Sequence, residues 1–351
     1  MRLAYVLVIS GALFFCAGSC EDDIVDVPPV RPDTTSHDFV WDYTLIPSDN
    51  NNGILHDICY INDTCIWAVG WFIRRGPQGE RLLYNAIRWD GVEWRMEQVL
   101  DSIPGSTGQP SPHELTTVYG DRPDNVWFNT GSIFIHWDGR RFTTDASLMY
   151  QMNCFLMECW SDGPDNIWMG GTDGELVRYD GKRWKRIKND IPDEWDICGM
   201  HGNGDTLLLA ATQYGSTGWT AFYHVIGETV RFWRQDSVPQ GVQAVWFDHL
   251  NNVYTDGGRV YHWNGEKWNN LRAPGSGGYG FDMAGVSRFD IMSCGYFTTI
   301  RHYNGKTWRS WSRIPGTGNA VLVGVTRTVN EVWICGHSAE GGTAIILHGK
   351  R

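Results

Sequence analysis

Two short phrases decide the fold of this chain: residues 124–127 read Asp-Asn-Val-Trp, and residues 136–142 read His-Trp-Asp-Gly-Arg-Arg-Phe. Variants of both phrases recur along the 351-residue sequence. The glycines of the second phrase, counting one degraded and one truncated copy, are Gly91, Gly139, Gly181, Gly227, Gly265, Gly305 and Gly349. A phrase that returns at intervals of 38–48 residues indicates one supersecondary unit built many times.

Each unit predicts about four short strands. Asp-Gly and Asn-Gly tolerate positive φ at both central positions of a tight turn, so they favour hairpins between twisted strands. One four-stranded sheet cannot cover both of its faces, whereas sheets stacked radially cover one another, so the sequence predicts an all-β, seven-bladed β-propeller. The predicted blades span residues 55–99, 114–146, 152–188, 195–236, 241–272, 279–313 and 319–351.

The seventh unit stops at Arg351, just past its turn, and so lacks an outermost strand. Residues 39–45 (Phe-Val-Trp-Asp-Tyr-Thr-Leu) form a strand pattern that belongs to no unit. We therefore expect this N-terminal strand to complete the last blade and close the ring, leaving no unpaired edge there. The propeller domain is then predicted to span residues 39–351.

The N-terminus carries a predicted export signal. Residues 1–19 combine Arg2, an apolar stretch and small residues, which indicates a cleaved signal peptide rather than a spanning helix. Residues 17–20 (Ala-Gly-Ser-Cys) resemble a bacterial lipobox, which implies acylation of Cys20; an incidental cysteine is the alternative. Residues 20–38 form a predicted flexible linker, and the acidic residues 21–23 resemble a Bacteroidetes-type surface-export signal. We expect a lipid-anchored protein of the outer membrane or cell surface, facing the periplasm as an alternative.

Charge and motif spacing exclude several classes of function. The net charge of −11 argues against a nucleic-acid partner, and only the lipid anchor is expected to touch a membrane. Neither H-E-x-x-H nor paired C-x-x-C is present, so no metal site is predicted. Gly275, Gly277 and Gly280 fit G-x-G-x-x-G, but a strand pattern rather than a helix follows, so we predict no dinucleotide or other cofactor.

Cys59 and Cys65 flank a predicted turn and could form a disulfide bond, although buried free thiols are the favoured interpretation.

The tandem D-N-[VI]-W and H-[YW]-[DN]-G-x-x-W phrases resemble the repeats of bacterial secreted and lipoprotein β-propellers, over residues 39–351. That resemblance implies a binding or scaffolding protein. The D-G-x-x-W turn is also similar in part to the Asp-box of sialidase propellers, S-x-D-x-G-x-x-W, but Arg or His stands here where the Asp-box has Ser. Some repeats of this type are also labelled glucosyltransferase, yet no transferase active-site pattern accompanies them here.

One face of the predicted ring collects the insertions. Inter-blade loops and the loops between second and third strands meet at the same face, and the insertions fall in those two classes. They include the predicted inter-blade loop 100–113 and the predicted loop 71–83 between the second and third strands of blade 1. Aromatic loop residues on a rigid scaffold are typical of binding surfaces, and caps on the blade ends are the alternative. The candidate ligand-binding aromatics on this loop-rich face are Trp71, Trp195, Trp219 and Tyr279.

The inner strands offer a second candidate site. Counting back ten residues from each second-strand aromatic reaches Asp57, Thr117, Glu158 and Asp282, and a longer turn in blade 4 would add Asp196. Four carboxylates at one repeat position, Asp57, Glu158, Asp196 and Asp282, would surround the mouth of the central channel. Clustered carboxylates raise one another's pKa unless a cation compensates, so we predict a site for a cation or basic group there, against the alternative of solvated carboxylates bonded to loop N–H groups.

These observations favour a non-enzymatic, lipid-anchored surface propeller that binds a protein or a glycan through its loop-rich face. The alternative is a carbohydrate-active enzyme, a glycoside hydrolase, lyase or glucosyltransferase-like protein, that uses the carboxylates of the channel mouth. Such an enzyme needs two carboxylates roughly 5–10 Å apart, and no motif selects two of them as catalytic.

Overall fold

A computed structural model gives the fold. It describes residues 34–49, 53–102, 108–152, 154–213, 218–234, 238–271, 273, 278–312, 314–339 and 342–351. The predicted signal peptide, Cys20 and most of the linker lie outside these residues, as do Gly275 and Gly277. No helix within the described ranges is long and apolar enough to cross a membrane.

Within the described residues, thirty strands build seven four-stranded antiparallel sheets and one small pair. The N-terminal strand is β1 (Val40–Ile46). Blade 1 contains β2 (Ile54–Asn62), β3 (Cys65–Arg75), β4 (Arg81–Trp89) and β5 (Trp94–Glu97). The small pair is β6 (Leu100–Asp101) and β7 (Ser111–Pro112). Blade 2 contains β8 (Thr117–Arg122), β9 (Asn125–Asn129), β10 (Phe134–Trp137) and β11 (Phe142–Asp145). Blade 3 contains β12 (Leu156–Ser161), β13 (Ile167–Gly171), β14 (Leu176–Tyr179) and β15 (Trp184–Arg186), with a 3₁₀ turn at Thr172–Gly174.

The remaining blades follow the same plan. Blade 4 contains β16 (Trp195–Asn203), β17 (Thr206–Gln213), β18 (Thr220–Ile226) and β19 (Thr229–Arg234). Blade 5 contains β20 (Val242–His249), β21 (Asn252–Gly257), β22 (Tyr261–Trp263) and β23 (Trp268–Asn270). Blade 6 contains β24 (Gly280–Ser287), β25 (Asp290–Gly295), β26 (Thr299–Tyr303) and β27 (Trp308–Trp311). Blade 7 contains β28 (Ala320–Arg327), β29 (Glu331–Ser338) and β30 (Ala344–Lys350).

The seven-bladed ring and its closure by the N-terminal strand are confirmed. The strand β1 pairs antiparallel with β30 over seven residues, from Val40 opposite Lys350 to Ile46 opposite Ala344, and thus becomes the fourth strand of blade 7. The first strand of each blade contacts the first strand of the next, and β2 contacts β28, so the inner strands form a complete circle.

A buried ionic cluster joins the two ends of the chain beside this closure. Asp290 accepts a hydrogen bond from His302 Nε2 at 2.8 Å and forms ion pairs with Arg327, at 2.7 Å, and with Arg351. His37 Nδ1 lies 2.8 Å from His302 Nδ1. Burial raises the pKa of Asp290, but these donors together hold it below its usual value. Arg351 is therefore held by an ion pair as well as by the neighbouring strand ladder, and His37 contacts a histidine of the same cluster.

The repeated phrases are explained by contacts within each blade. The His of the second phrase stacks on the aromatic residue of the first, with ring centroids 4.5 Å apart for His136 and Trp127. Its Nε2 lies 2.6 Å from the side-chain oxygen of Asn125, the Asn of the same first phrase. In blade 3 Arg178 takes the place of the His, above Trp168 and 2.9 Å from Asn166 Oδ1. These basic side chains are thus used inside the repeat.

The Asp-Gly turns differ from the tight turns, with positive φ at both central positions, that the sequence predicts. In blade 1 the paired strands end at Trp89 and Trp94, so the loop has four residues, and only its Gly91 has positive φ (96°). Asp90 instead accepts hydrogen bonds through Oδ1 from the N–H groups of Val92 and Glu93, each at 2.9 Å. The Asp is needed because its carboxylate satisfies the loop N–H groups, and the Gly because of its left-handed backbone.

Two of the predicted loop insertions contain regular strands. The predicted loop 71–83 is mostly an extension of the hairpin between β3 and β4, and the predicted loop 100–113 contains the pair β6–β7.

Cys59 and Cys65 are free thiols, as are the other cysteines that the structure describes.

Candidate functional site

Exposed aromatic residues are concentrated on the loop-rich face. Those in its loops are Tyr150, Phe155, Trp219, Tyr296 and Phe297. At the opposite face, which carries the Asp-Gly and Asn-Gly turns, the exposed large apolar residues are aliphatic: Val92, Ile226, Val286 and Val329. Solvent-exposed aromatic groups are enriched at binding surfaces, so this asymmetry identifies the loop-rich face as the candidate site.

Most of these aromatics belong to one patch, centred on blade 6 and reaching Trp219 of blade 4. This patch is here called the aromatic strip and is defined as Trp219, Tyr279, Phe281, Tyr296 and Phe297. Ring centroids lie 5.7 Å apart for Tyr279 and Phe281, 4.7 Å for Phe281 and Tyr296, and 6.0 Å for Tyr296 and Phe297. The backbone links Trp219 to this series, because the N–H of Gly241 donates to the Gly218 carbonyl, and the Tyr279 hydroxyl donates to the Gly241 carbonyl at 2.7 Å. The strip therefore extends across blades 4 to 6.

A strained turn presents the most exposed ring of the strip. Phe297 and Thr298 both have positive φ, 58° and 54°, in the turn between β25 and β26. This conformation suits Asn-Gly and is costly for an aromatic and a β-branched residue. Thr298 is held in place by its N–H, which donates to Ala320 O at 2.8 Å, and by its hydroxyl, which donates to Gly318 O at 2.9 Å. Such strain is concentrated at functional sites, and here it leaves Phe297 58% exposed.

A buried ion pair supports the strip from below. Arg301 Nη1 lies 2.6 Å from Asp256 Oδ2, and both side chains are almost fully buried. Arg301 Nη2 also donates to the carbonyl of Gly278, next to Tyr279. A Cβ on Gly280 would lie 2.2 Å from Asp256 Cγ, so the last glycine of the G-x-G-x-x-G motif is required by packing against this pair. Burial raises the pKa of Asp256, while Arg301 and two further donors oppose that shift.

The four predicted loop aromatics occupy different environments. Trp219 (47% exposed) and Tyr279 belong to the strip. Trp71 is half-buried on β3 opposite Ile54, and Trp195 is half-buried at the start of β16, packed against the apolar core between blades 3 and 4. The structure therefore brings together two of the four residues. Phe281, Tyr296 and Phe297 were not predicted from the sequence, although a Tyr-Phe pair stands in a hairpin turn without Gly or Asn and is a signal for Tyr296 and Phe297.

Two of the predicted carboxylates connect neighbouring blades. Asp57 Oδ1 accepts from the N–H of Ile58 and Oδ2 from that of Val118 on blade 2, at 2.7 and 2.9 Å. Asp282 repeats the arrangement, since Oδ1 accepts from the Met283 N–H at 2.6 Å and Oδ2 from the Val325 N–H on blade 7 at 2.7 Å. Both aspartates thus bond the inner strand of one blade to that of the next.

Glu158 is the exception among these inner carboxylates, because no described residue donates a hydrogen bond to it. Burial, followed by the charges of Asp282 and Asp57, raises its pKa well above the usual value. Hydrolysis by two carboxylates needs a second free group. Both oxygens of Asp57 and of Asp282 already accept hydrogen bonds from backbone N–H groups, so this arrangement does not favour the enzymatic alternative. Among the described residues, no group of three or more His, Cys, Asp or Glu is placed to hold a metal ion.

Asp196 does not share the repeat position of Asp57, contrary to the sequence count. Gly199 pairs with Ala210 at the equivalent place, and Asp196 lies three residues earlier, opposite Thr212. There its Oδ1 accepts from the N–H of Asp173 at 3.1 Å. The inner strands of blades 1, 2, 5 and 6 carry an extra bulge before the turn to the second strand, and the inner strand of blade 4 lacks this bulge. The segment from the repeat position to the second strand is therefore one residue shorter in blade 4, whereas the sequence count assumed that it was two residues longer.

Replacing Asp57 tests the electrostatics of the channel. Burial and the Asp282 charge raise the pKa of Asp57 to about 7 from 3.8. The folded state then binds a proton that the unfolded chain does not, so stability falls as pH rises from 3.8 to 7. Between pH 8 and pH 6 the wild type should gain about 1 kcal/mol of unfolding free energy relative to Asp57→Asn, as measured by urea unfolding. Asp124→Asn is the control; equal pH dependence of Asp57→Asn and the wild type would contradict the assignment.

Comparison with known proteins gives fold-level likeness. No family model and no curated protein matches the chain. The chain is similar to a solved structure described as YCF48 bound to D1 peptide, with a TM-score of 0.62 and 14% identity, covering 89% of this chain and 97% of that one. YCF48 from Cyanidioschyzon merolae gives a TM-score of 0.59 at 15% identity, covering 87% and 98%. The WD40 β-propeller domain of Doa1 gives 0.58 at 12%, covering 88% and 97%. At these identities the likeness supports the propeller fold alone.

Proposed function

We propose that this protein is a non-enzymatic scaffold that binds an apolar segment of a partner protein across the aromatic strip. The observation that carries the proposal is the strained turn that presents Phe297 beside Tyr296 and Phe281. An exposed aromatic ring held at a conformational cost has no role in the core, whereas rigid aromatic groups bind partners at low entropic cost. A protein partner accords with the similar YCF48 structure, which holds a peptide.

We further propose that Cys20 is acylated and that the strip faces away from the membrane that holds the lipid. The N–H of Thr35 donates to Asn304 O at 3.1 Å, and its hydroxyl donates to Phe289 O at 3.0 Å. Both acceptors lie in turns of the face opposite the strip. Thr35, near the start of the described residues, therefore lies at the face opposite the strip, which supports an orientation in which the strip is accessible to a partner. Metabolic labelling with a fatty-acid probe, lost in Cys20→Ala, tests the anchor.

Phe297→Asn tests the binding proposal. Asn tolerates positive φ, so this variant removes the ring and relieves strain, and the unfolding free energy should stay level or rise by up to about 1 kcal/mol. Peptides selected from a random dodecapeptide library on the full chain should bind the wild type and lose at least about tenfold in affinity to the variant. A variant that binds these peptides as tightly as the wild type contradicts the proposal.

Phe232→Asn provides a matched control, because Phe232 is 57% exposed on the outer strand β19, away from the strip. The selected peptides should bind this variant as they bind the wild type. A glycan array on the same proteins examines the other ligand class. If no peptide is selected and a glycan binds in a way that depends on Phe297, the ligand of the strip is a carbohydrate rather than a protein.

A further inference from the structure

Blades 7 and 1 enclose a second site, far from the strip in sequence and on different blades. It is a groove of about 700 Å³, here called the seam groove, between the outer half of blade 7 and blade 1. Three indole rings form its aromatic wall, with centroids 5.6 Å apart for Trp89 and Trp94, 5.9 Å for Trp94 and Trp333, and 6.2 Å for Trp89 and Trp333. The charged residues lining it are Asp42, Asp63, Glu331 and Lys350.

Asp42 is acidic at a position of the repeat where four of the other blades carry a basic residue. It pairs with His348, which occupies the position of the repeat's basic residue in blade 7. In blades 1 to 6 the fourth-strand residue in that pairing is Arg95, Thr143, Lys185, Arg231, Asn269 and Arg309. Blade 7, completed by a strand from the other end of the chain, alone carries an acid there.

The acidic groups of the seam groove exceed its basic groups. Asp42 Oδ1 accepts from the N–H of Tyr43 at 2.8 Å, and no described residue donates to Oδ2. Asp63 accepts a hydrogen bond from the Tyr60 hydroxyl. Glu331 lies 3.1 Å from His348 and 3.6 Å from Lys350. Burial lowers the pKa of His348, so Lys350 is the one full cation against three carboxylates on this lining at neutral pH.

We propose that the seam groove binds an arginine side chain of a basic polypeptide segment. A guanidinium group can stack on an indole face and donate hydrogen bonds to a carboxylate at the same time. The wall of Trp89 and Trp94 supplies the faces, and Asp42 Oδ2 with Asp63 supplies the carboxylate oxygens. Charge complementarity thus identifies the occupant, because an uncharged sugar would use the indoles but gain little from three carboxylates.

Titration calorimetry of the full chain with an acetylated, amidated tri-arginine peptide tests the proposal. Asp42→Arg installs the residue that blades 1, 4 and 6 carry, so the variant should fold. We expect it to weaken binding at least about tenfold, Asp42→Asn to have a smaller effect, and added salt to weaken binding by the wild type. Asp124→Arg is the matched control, since Asp124 lies at the next junction beside Arg88 and Arg122, and it should bind as the wild type does.

Two results would overturn the proposal. The first is equal affinity of the peptide for the wild type and for Asp42→Arg. The second is no heat with tri-arginine but binding of maltopentaose that is insensitive to Asp42→Arg and to salt, which would make the seam groove a carbohydrate site. Binding at the seam groove and at the aromatic strip is separable, because Phe297→Asn should leave the tri-arginine titration unchanged.

Discussion

A chain that starts at residue 47 is expected to lose the cooperative unfolding of the ring and to aggregate. Without β1, the strand β30, with its run Ala-Ile-Ile-Leu at residues 344–347, becomes an unpaired apolar edge. Such edges pair with other chains. The truncation also removes Phe39 and Ile46, both more than 90% buried, each contributing about 1.5–3 kcal/mol. We expect the midpoint of thermal unfolding to fall by more than about 10 °C.

The control for this truncation is a chain that starts at residue 34, which keeps β1 and should melt as the full chain does. A synthetic peptide of residues 34–46, added to the shortened protein, should restore a single transition by occupying the vacant edge. The same peptide with Phe39→Ala and Trp41→Ala should not, because Phe39 and Trp41 pack against Trp311 of blade 6. Light scattering and calorimetry measure both effects. A shortened chain that stays monomeric and has the same midpoint of thermal unfolding as the full-length protein would contradict the assigned role of β1.

The architecture could be predicted from the sequence because the repeated residues make their contacts within a single blade. The Asp and Gly of each turn, and the His-Asn-Trp contacts beside it, are made within one blade, so the same letters recur in each. The missing outer strand of blade 7 was visible as a missing phrase. By the same reasoning the stray strand at residues 39–45 had one place left to pair, and the structure puts β1 there.

The candidate site was less predictable because it depends on contacts between blades. The count of ten residues succeeds for Asp57 and Glu158, whereas the longer count that reached Asp196 fails, since a bulge changes the number of residues without changing the phrase. Likewise nothing local to Asp57 indicates that its partner is the N–H of Val118, 61 residues away. The aromatic strip also joins residues from two blades that are not neighbours in the sequence, and Phe297 is in a turn that ordinary turn chemistry would assign to Asn or Gly.

Arg301→Met is expected to cost about 3–5 kcal/mol of unfolding free energy, because it leaves the Asp256 carboxylate buried without its counter-ion. Arg301 is 1% exposed and Asp256 0%, so water cannot replace the lost guanidinium. Ser293 Oγ, at 2.7 Å, and the Gly257 N–H, at 2.8 Å, still donate to the carboxylate but carry no charge. Urea unfolding at pH 8 measures the cost. Arg309→Met, on the same blade and half-exposed in a 3.6 Å pair with Asp38, is the control and should cost less than about 1 kcal/mol.

The pH dependence of Arg301→Met distinguishes a lost charge from lost packing. Burial already raises the pKa of Asp256, and removal of Arg301 raises it further. A carboxyl whose pKa is raised in the folded state costs most above that pKa, and the cost shrinks as pH falls and the group is protonated. The variant should therefore regain unfolding free energy relative to the wild type as the pH is lowered from 8 to 5. At pH 8, the double variant Asp256→Asn/Arg301→Met should be more stable than Arg301→Met. A deficit that is the same at both pH values would mean that Arg301 acts through packing. Because Arg301 also holds the carbonyl of Gly278 beside Tyr279, peptide binding at the aromatic strip should weaken in the same variant at pH 8.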